Sequence, residues 1–124
     1  MNIQELRIGN YIYDVHNRVS NIVTIGNGTI RLSSKNYHYD SFNTSDISPI
    51  PLTEDILLKC GAKLEGSEWQ IEYDDTAFIF EGSLGRGFYY TGGEGCKLSV
   101  LFYNLHELQN LFRPITGEEL NVEL

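Results

Sequence analysis

The sequence predicts an α+β domain: an N-terminal SH3-like antiparallel β-barrel or meander, packed on a second antiparallel sheet with two short helices. Three observations carry this. Short runs rich in Tyr, Ile, Val and Thr recur along the chain, punctuated by Gly, Asn and Asp turn signals. Two segments, "PLTEDILLKCG" and "NLHELQNLF", carry helix caps. With 124 residues, 41% of them apolar, the chain is too hydrophobic for disorder. At that size folding buries roughly 60–70% of the unfolded surface.

The elements follow in order. "NIQEL" makes one turn, with Asn2 as N-cap and Glu5 completing a capping-box pattern. Ile8, Tyr11, Tyr13 and Val15 then mark a strand, and "HNR" at 16–18 turns the chain. "VSNIVTI" (19–25) and "TIRLS" (29–33) are strands joined by "GNG", a turn that tolerates positive φ. "YHYDSF" and "DISPI" read as short edge strands, where Pro49 and Pro51 are tolerated. Residues 6–50 thus form a five-stranded meander. Its "IGNYI" opening is similar to the start of small SH3-like barrels.

Thr53 caps the first helix, Glu54 and Asp55 sit in its first turn, and Gly61 stops it. "SEWQIEYDDTAFIFEG" is a hairpin turning at Asp74 and Asp75, and "GFYYTG" and "KLSVLFY" are two further strands. The last helix covers 105–112, with Asn104 as N-cap and Leu105, Leu108, Leu111 and Phe112 as its apolar face. Arg113 precedes a proline, so the helix is expected to end there. Thr116 and Glu119 repeat the capping pattern in a terminal turn. Residues 1–124 are expected to form one domain, with 1–50 and 51–124 as possible subdomains.

The net charge of −8 is unevenly spread. Residues 1–45 hold four bases and three acids; residues 46–124 hold five bases and fourteen acids. Phosphate backbones are bound by Lys and Arg, so nucleic acid is disfavoured as a partner. Cys60 and Cys96 lack CxxC spacing, and His16, His38 and His106 lack metal-ligand spacing, so neither metal nor cofactor is expected. The N-terminal residues have no signal-peptide pattern, and no apolar run reaches the ~20 residues of a membrane helix. The expected setting is the cytoplasm, with reduced thiols and no membrane contact. Oligomeric state is left open.

Six of the twelve glycines fall between Gly82 and Gly95. The spacing matches neither a phosphate-binding Walker loop nor a dinucleotide fingerprint, and no helix follows it. These glycines read as hairpin turns. Arg86, Tyr89 and Tyr90 are the ligand-binding candidates, for an anionic or planar molecule. Asp74 and Asp75 read as a turn, not a carboxylate pair. A Cys96–His106 pair is conceivable, but no local group activates the thiol, and no catalytic residue is assigned. On the last helix His106, Asn110 and Arg113 form a polar stripe, read as a solvated face or a partner contact.

Three blocks, "ELRIGNYIYD", "ISPIPLTEDILLKCGAK" and "LHELQNLFRPITGEEL", occur in this order. Together they resemble a family of small proteins encoded by gut Bacteroidetes and their phages and prophages. Members of that family read "LRIGNYV", "PIPLTEEWLLKFGF" and "HQLQNLYFALTGEEL". The blocks cover about a third of the chain, and Arg113-Pro114 departs from the family pattern. The resemblance implies a phage or mobile-element origin, hence the cytoplasm of a bacterial host cell, and no particular activity.

The expected function is a non-enzymatic protein-binding accessory module. The alternatives are a small-molecule binder that sequesters a nucleotide signal against host defence, an enzyme of unrecognised type, and nucleic-acid binding by the 6–50 barrel.

Overall fold

Four aliphatic side chains, Ile12, Ile22, Ile30 and Leu32, are at most 1% exposed and define the inner face of the first sheet. The molecule is seen in a computed structural model, which describes residues 3–26, 29–33, 42–83, 85–91 and 101–124. Two units are distinguished: Met1–Pro51 with Asn104–Asn110, and Leu52–Tyr103 with Leu111–Leu124. Each is described by itself.

The first unit begins with a 3₁₀ turn, Ile3–Glu5. Four strands follow: β1 (Tyr11–Tyr13), β2 (Val19–Ile25), β3 (Thr29–Ser33) and β4 (Phe42–Asn43). They form an antiparallel sheet in the order β1-β2-β3-β4. Ile12 lies opposite Ser20 and Ile22 opposite Leu32, so the inward residues share one face. The register shifts between Ile22 and Thr24, which leaves Val23 partly exposed. Leu6 and Ile47 complete this core.

The first strand is shorter than the span from Ile8 to Val15. Gly9 takes φ +98°, which starts the strand late, and both Ile8 and Val15 are exposed. The buried phase is Asn10, Ile12 and Asp14. Asp14 is inward because it organises the next turn. It accepts the N–H groups of His16 and Arg18 at 2.8 and 2.9 Å and the Arg18 guanidinium at 3.1 Å.

The sheet does not close into a barrel among the described residues, as the barrel reading requires. After β4 the chain enters a 3₁₀ turn, Thr44–Asp46, and "DISPI" forms no strand. Ser48 alone reaches β1, exchanging two backbone bonds with Tyr13 at 2.9 and 3.0 Å. Pro49 next to it has no N–H with which to extend the ladder.

The second unit opens with helix α1 (Glu54–Lys59). The Thr53 hydroxyl accepts the Ile56 N–H at 3.2 Å, and Gly61 at φ +79° ends the helix. Strands β5 (Ala62–Glu65), β6 (Glu68–Tyr73), β7 (Thr76–Ser83) and β8 (Gly87–Tyr90) form an antiparallel sheet in chain order. The β6–β7 hairpin turns at Asp74 and Asp75, both at positive φ (43° and 62°), as a two-residue hairpin demands. β5, "AKLE", has no sequence signal of its own. It pairs with β6 from Ala62–Ile71 to Glu65–Glu68. Residues 97–100 of the expected strand "KLSVLFY" lie outside the described residues, while Phe102 bridges to Phe88.

An aromatic core fills this unit. Phe80, Phe88 and Phe102 pack with ring centroids 5.6–5.8 Å apart, and Phe78 touches Phe80, Tyr90 and Phe112. Such contacts add about 0.5–1.5 kcal/mol per pair beyond the area they bury.

The last helix, α2 (Leu105–Thr116), runs past Pro114, so the stop expected at Arg113 is overturned. Proline costs one N–H bond and a ring contact with the preceding turn, and near the helix end this does not halt the helix. Gly117 does, at φ +78°, with its N–H donating to the Arg113 carbonyl at 2.7 Å. Thr116 therefore caps no new turn. Its hydroxyl donates to the Phe112 carbonyl at 2.8 Å and accepts the Glu118 N–H at 3.1 Å.

Candidate functional site

In the first unit, the beginning of α2 meets the loop before β1 through hydrogen bonds. Gln109 Oε1 accepts the Tyr11 N–H at 2.9 Å, and its Nε2 donates to the Gly9 carbonyl at 3.0 Å. Asn10 Nδ2 donates to Asn110 Oδ1 at 2.8 Å, and Asn110 Nδ2 donates to the Glu5 carbonyl at 2.8 Å. Arg7 donates to the Gln109 carbonyl at 3.1 Å. The "LRIGNY" and "LQN" blocks are thus two halves of one polar junction.

This corrects the reading of the helix stripe. His106 is 1% exposed and offers no surface to a partner, and the half-buried Asn110 has its side chain in two internal bonds. Only Arg113 is exposed, and it pairs with Glu119. Burial pushes the His106 imidazole below its ordinary value, against the nearby carboxylates of Glu107 and Glu5. The nearest Glu5 oxygen is 3.8 Å from Nε2, beyond hydrogen-bond reach, and neither ring nitrogen has a hydrogen-bond partner.

In the glycine-rich stretch, Gly82 to Gly87 form the β7–β8 hairpin, with the Arg86 N–H donating to the Ser83 carbonyl at 3.1 Å. Gly92, Gly93, Gly95, Cys96 and His38 lie outside the described residues. Tyr89 and Tyr90 point to opposite faces of β8, as neighbours on a strand must. The Tyr89 hydroxyl donates to Glu81 at 2.9 Å, and that hydrogen bond to a carboxylate pushes its pKa up. Tyr90 packs its ring on Phe78 at 4.9 Å. Arg86 is exposed in the turn. The three candidates therefore do not converge on one site.

A concave site forms elsewhere in the second unit. The end of α1, strand β6, Phe112 and residues 118–123 line a cleft of about 360 Å³. Ligand sites run from about 300 to 1,000 Å³, with apolar floors and a few polar groups. Cys60, Ile71, Phe112 and Leu120, each under 7% exposed, supply apolar lining, with Tyr73 beside them. The tail segment is held by the burial of Leu120 and Val122, and by the Glu123 N–H donating to the Lys59 carbonyl at 2.9 Å.

No family model, curated protein or solved structure matches the chain.

Charge distinguishes the rim of this cleft. Lys59 is committed to Asp55 at 3.0 Å, and Glu119 to Arg113. Among the described residues no ion pair engages Glu72, Glu118, Glu123 or Lys63, so the remaining lining charges sum to −2. Asp74 and Asp75 lie just beyond Glu72, bordering a shallower recess at the hairpin tip. The Cys60 thiol in the lining is pushed up to about 12 by burial and stays protonated at neutral pH.

None of the cleft residues stands out in the sequence as a site. Glu118 and Glu123 reach it only because the tail folds back onto Lys59, a pairing with no local signature. The first-unit junction left a faint trace: Gln109 directly follows the core residue Leu108 on a short helix whose apolar face is otherwise strict. Among the described residues no group of three His, Cys, Asp or Glu side chains is placed to hold a metal ion. None of their helices is long and apolar enough to cross a membrane.

Proposed function

We propose that this chain is a non-enzymatic protein-binding module, an accessory protein of a phage or mobile element that acts by holding a partner. The observation that carries the reading is the cleft of the second unit, with its apolar lining and charged rim. Two further facts favour holding over chemistry. The Cys60 thiol is held protonated, and His106 is buried inside the first unit. A nucleophile or general base must be accessible and correctly poised.

The sequence blocks shared with the Bacteroidetes and phage family support the mobile-element origin. The SH3-like reading of residues 6–50 rests on the four-stranded meander and the Tyr13–Ser48 bridge. A fold likeness of that kind names no partner. The nucleotide-signal alternative loses ground, because Arg86, Tyr89 and Tyr90 do not meet.

Selection of a random peptide library on the immobilised full chain tests the reading. Enriched peptides that bind the chain in solution, and compete with one another, are the expected result. Repeated selections that yield no solution binder would overturn it.

A further inference from the structure

Resting on the protein-binding reading, we infer that the cleft of the second unit takes a cation on a short apolar stem: an arginine or lysine side chain presented by the partner. The argument is one of shape and charge together. Cys60, Ile71, Phe112 and Leu120 give the cleft an apolar lining, and Leu58, 57% exposed beside them, extends it outward. A methylene stem gains by covering such surface. Tyr73, half-buried in the cleft wall and held edge to face against Phe112 at 5.7 Å, adds aromatic surface that attracts cations.

The rim sets the sign. Glu72, Glu118 and Glu123 carry no ion pair among the described residues, and Lys63 is the one cation left against them. Lys59 is neutralised by Asp55 and Glu119 by Arg113. A phosphate or carboxylate entering here meets a net charge of −2, whereas an ammonium or guanidinium meets three carboxylate acceptors. Arginine fits best, because its planar fork binds carboxylates in pairs and it stacks on aromatic rings.

The test uses ¹⁵N-labelled full chain and four probes. These are a glycine-flanked arginine peptide, N-acetyl-arginine amide, agmatine, and N-acetyl-citrulline amide as the neutral isostere. Both arginine probes are expected to shift amide resonances of Lys59–Lys63, Glu72–Tyr73 and Glu118–Glu123, and citrulline is not. Added salt should weaken the binding. A combined Glu72→Gln, Glu118→Gln, Glu123→Gln variant should bind the arginine peptide about tenfold more weakly. These side chains are exposed, so the variant's unfolding midpoint should match the parent's. Shifts from citrulline equal to those from arginine, no shifts at all, or full affinity in the variant would each overturn the inference. Agmatine binding as tightly as the peptide would overturn the protein source in favour of a free organic cation. Library peptides that bind without a basic residue, and equally to the variant, would leave the protein-binding reading standing while this inference falls.

Discussion

Gln109 holds the turn at Gly9 from one side and the strand after it from the other, with bonds of 3.0 Å to the Gly9 carbonyl and 2.9 Å to the Tyr11 N–H. Gln109 is 2% exposed, so no water replaces it readily. Gln109→Ala therefore leaves the part-buried Tyr11 N–H without its acceptor, while the Gly9 carbonyl keeps the Asn21 Nδ2 donor at 2.9 Å. At roughly 1–3 kcal/mol for one unsatisfied group, the expected loss is about 2 kcal/mol. Urea denaturation of both proteins checks this. A loss below about 1 kcal/mol would show that the junction is not a determinant of stability.

His106 sets an acid limit. Its folded-state pKa lies below the ordinary 6.5, so below that pH the unfolded chain takes up a proton that the folded chain refuses. Stability should fall as pH drops from about 6.5, and the fall should stop at the depressed folded value. His106→Leu removes a buried ring without hydrogen-bond partners. It should be at least as stable at neutral pH and should flatten that part of the profile. An unchanged profile would refute the assignment.

Asp14 acts in a lower window. Burial pushes its carboxyl up, but the N–H groups of Arg18 and His16, with the Arg18 side chain, outweigh burial and hold it below 3.8. Its contribution is complete above 3.8 and is lost as pH falls through the depressed folded value. Asp14→Asn should therefore weaken the protein at pH 7 and leave the two chains nearer in stability at pH 2–3. A constant gap across pH would place the cost in hydrogen bonding alone.

Local signals in the chain foretold local structure. Thr53 and Gly61 bounded α1, Asp74-Asp75 marked a turn, and β2 and β3 begin and end where their β-branched runs do. What failed needed distant partners. β5 is "AKLE", poor in strand formers, and exists because β6 offers it a ladder. Asn10 and Gln109 are polar and buried, against the rule that polar residues face water, because each meets donors and acceptors from other segments, while Asp14 is buried by the turn it organises at His16 and Arg18. His106 read as surface because its helix partners, Asn110 and Arg113, are polar. The cleft is hardest of all, since it is assembled from four separate stretches of chain.

Pro114 lies inside α2, and the proline penalty remains although the helix continues. Pro114→Ala restores an N–H to the last turns and removes the ring's clash with the preceding turn. A full interior proline costs about 3 kcal/mol relative to alanine, so near the helix end a gain of about 1 kcal/mol is expected. Thermal unfolding reads it directly. A loss of stability would mean that the local geometry has adapted to the proline ring.

Two glycines of one hairpin should respond very differently to the same substitution. At Gly82 an added Cβ would lie 2.7 Å from the Phe88 Cα and closer still to the Gly87 carbonyl oxygen, and φ is +142°. The atoms it meets are all β8 backbone, which cannot yield as a side-chain tip would, so Gly82→Ala must force β7 and β8 apart. At Gly85 φ is +82° and no atom lies within 4 Å of the added carbon, so the cost is the left-handed conformation alone, about 1–2 kcal/mol. Gly82→Ala should lose at least twice as much as Gly85→Ala in denaturant unfolding. It should also expose to hydrogen exchange the amide of Thr91, which donates to the Ile79 carbonyl of β7 at 2.9 Å. Equal losses would mean that this turn can be rebuilt, and that the glycine at 82 answers to something other than the close approach of the two strands.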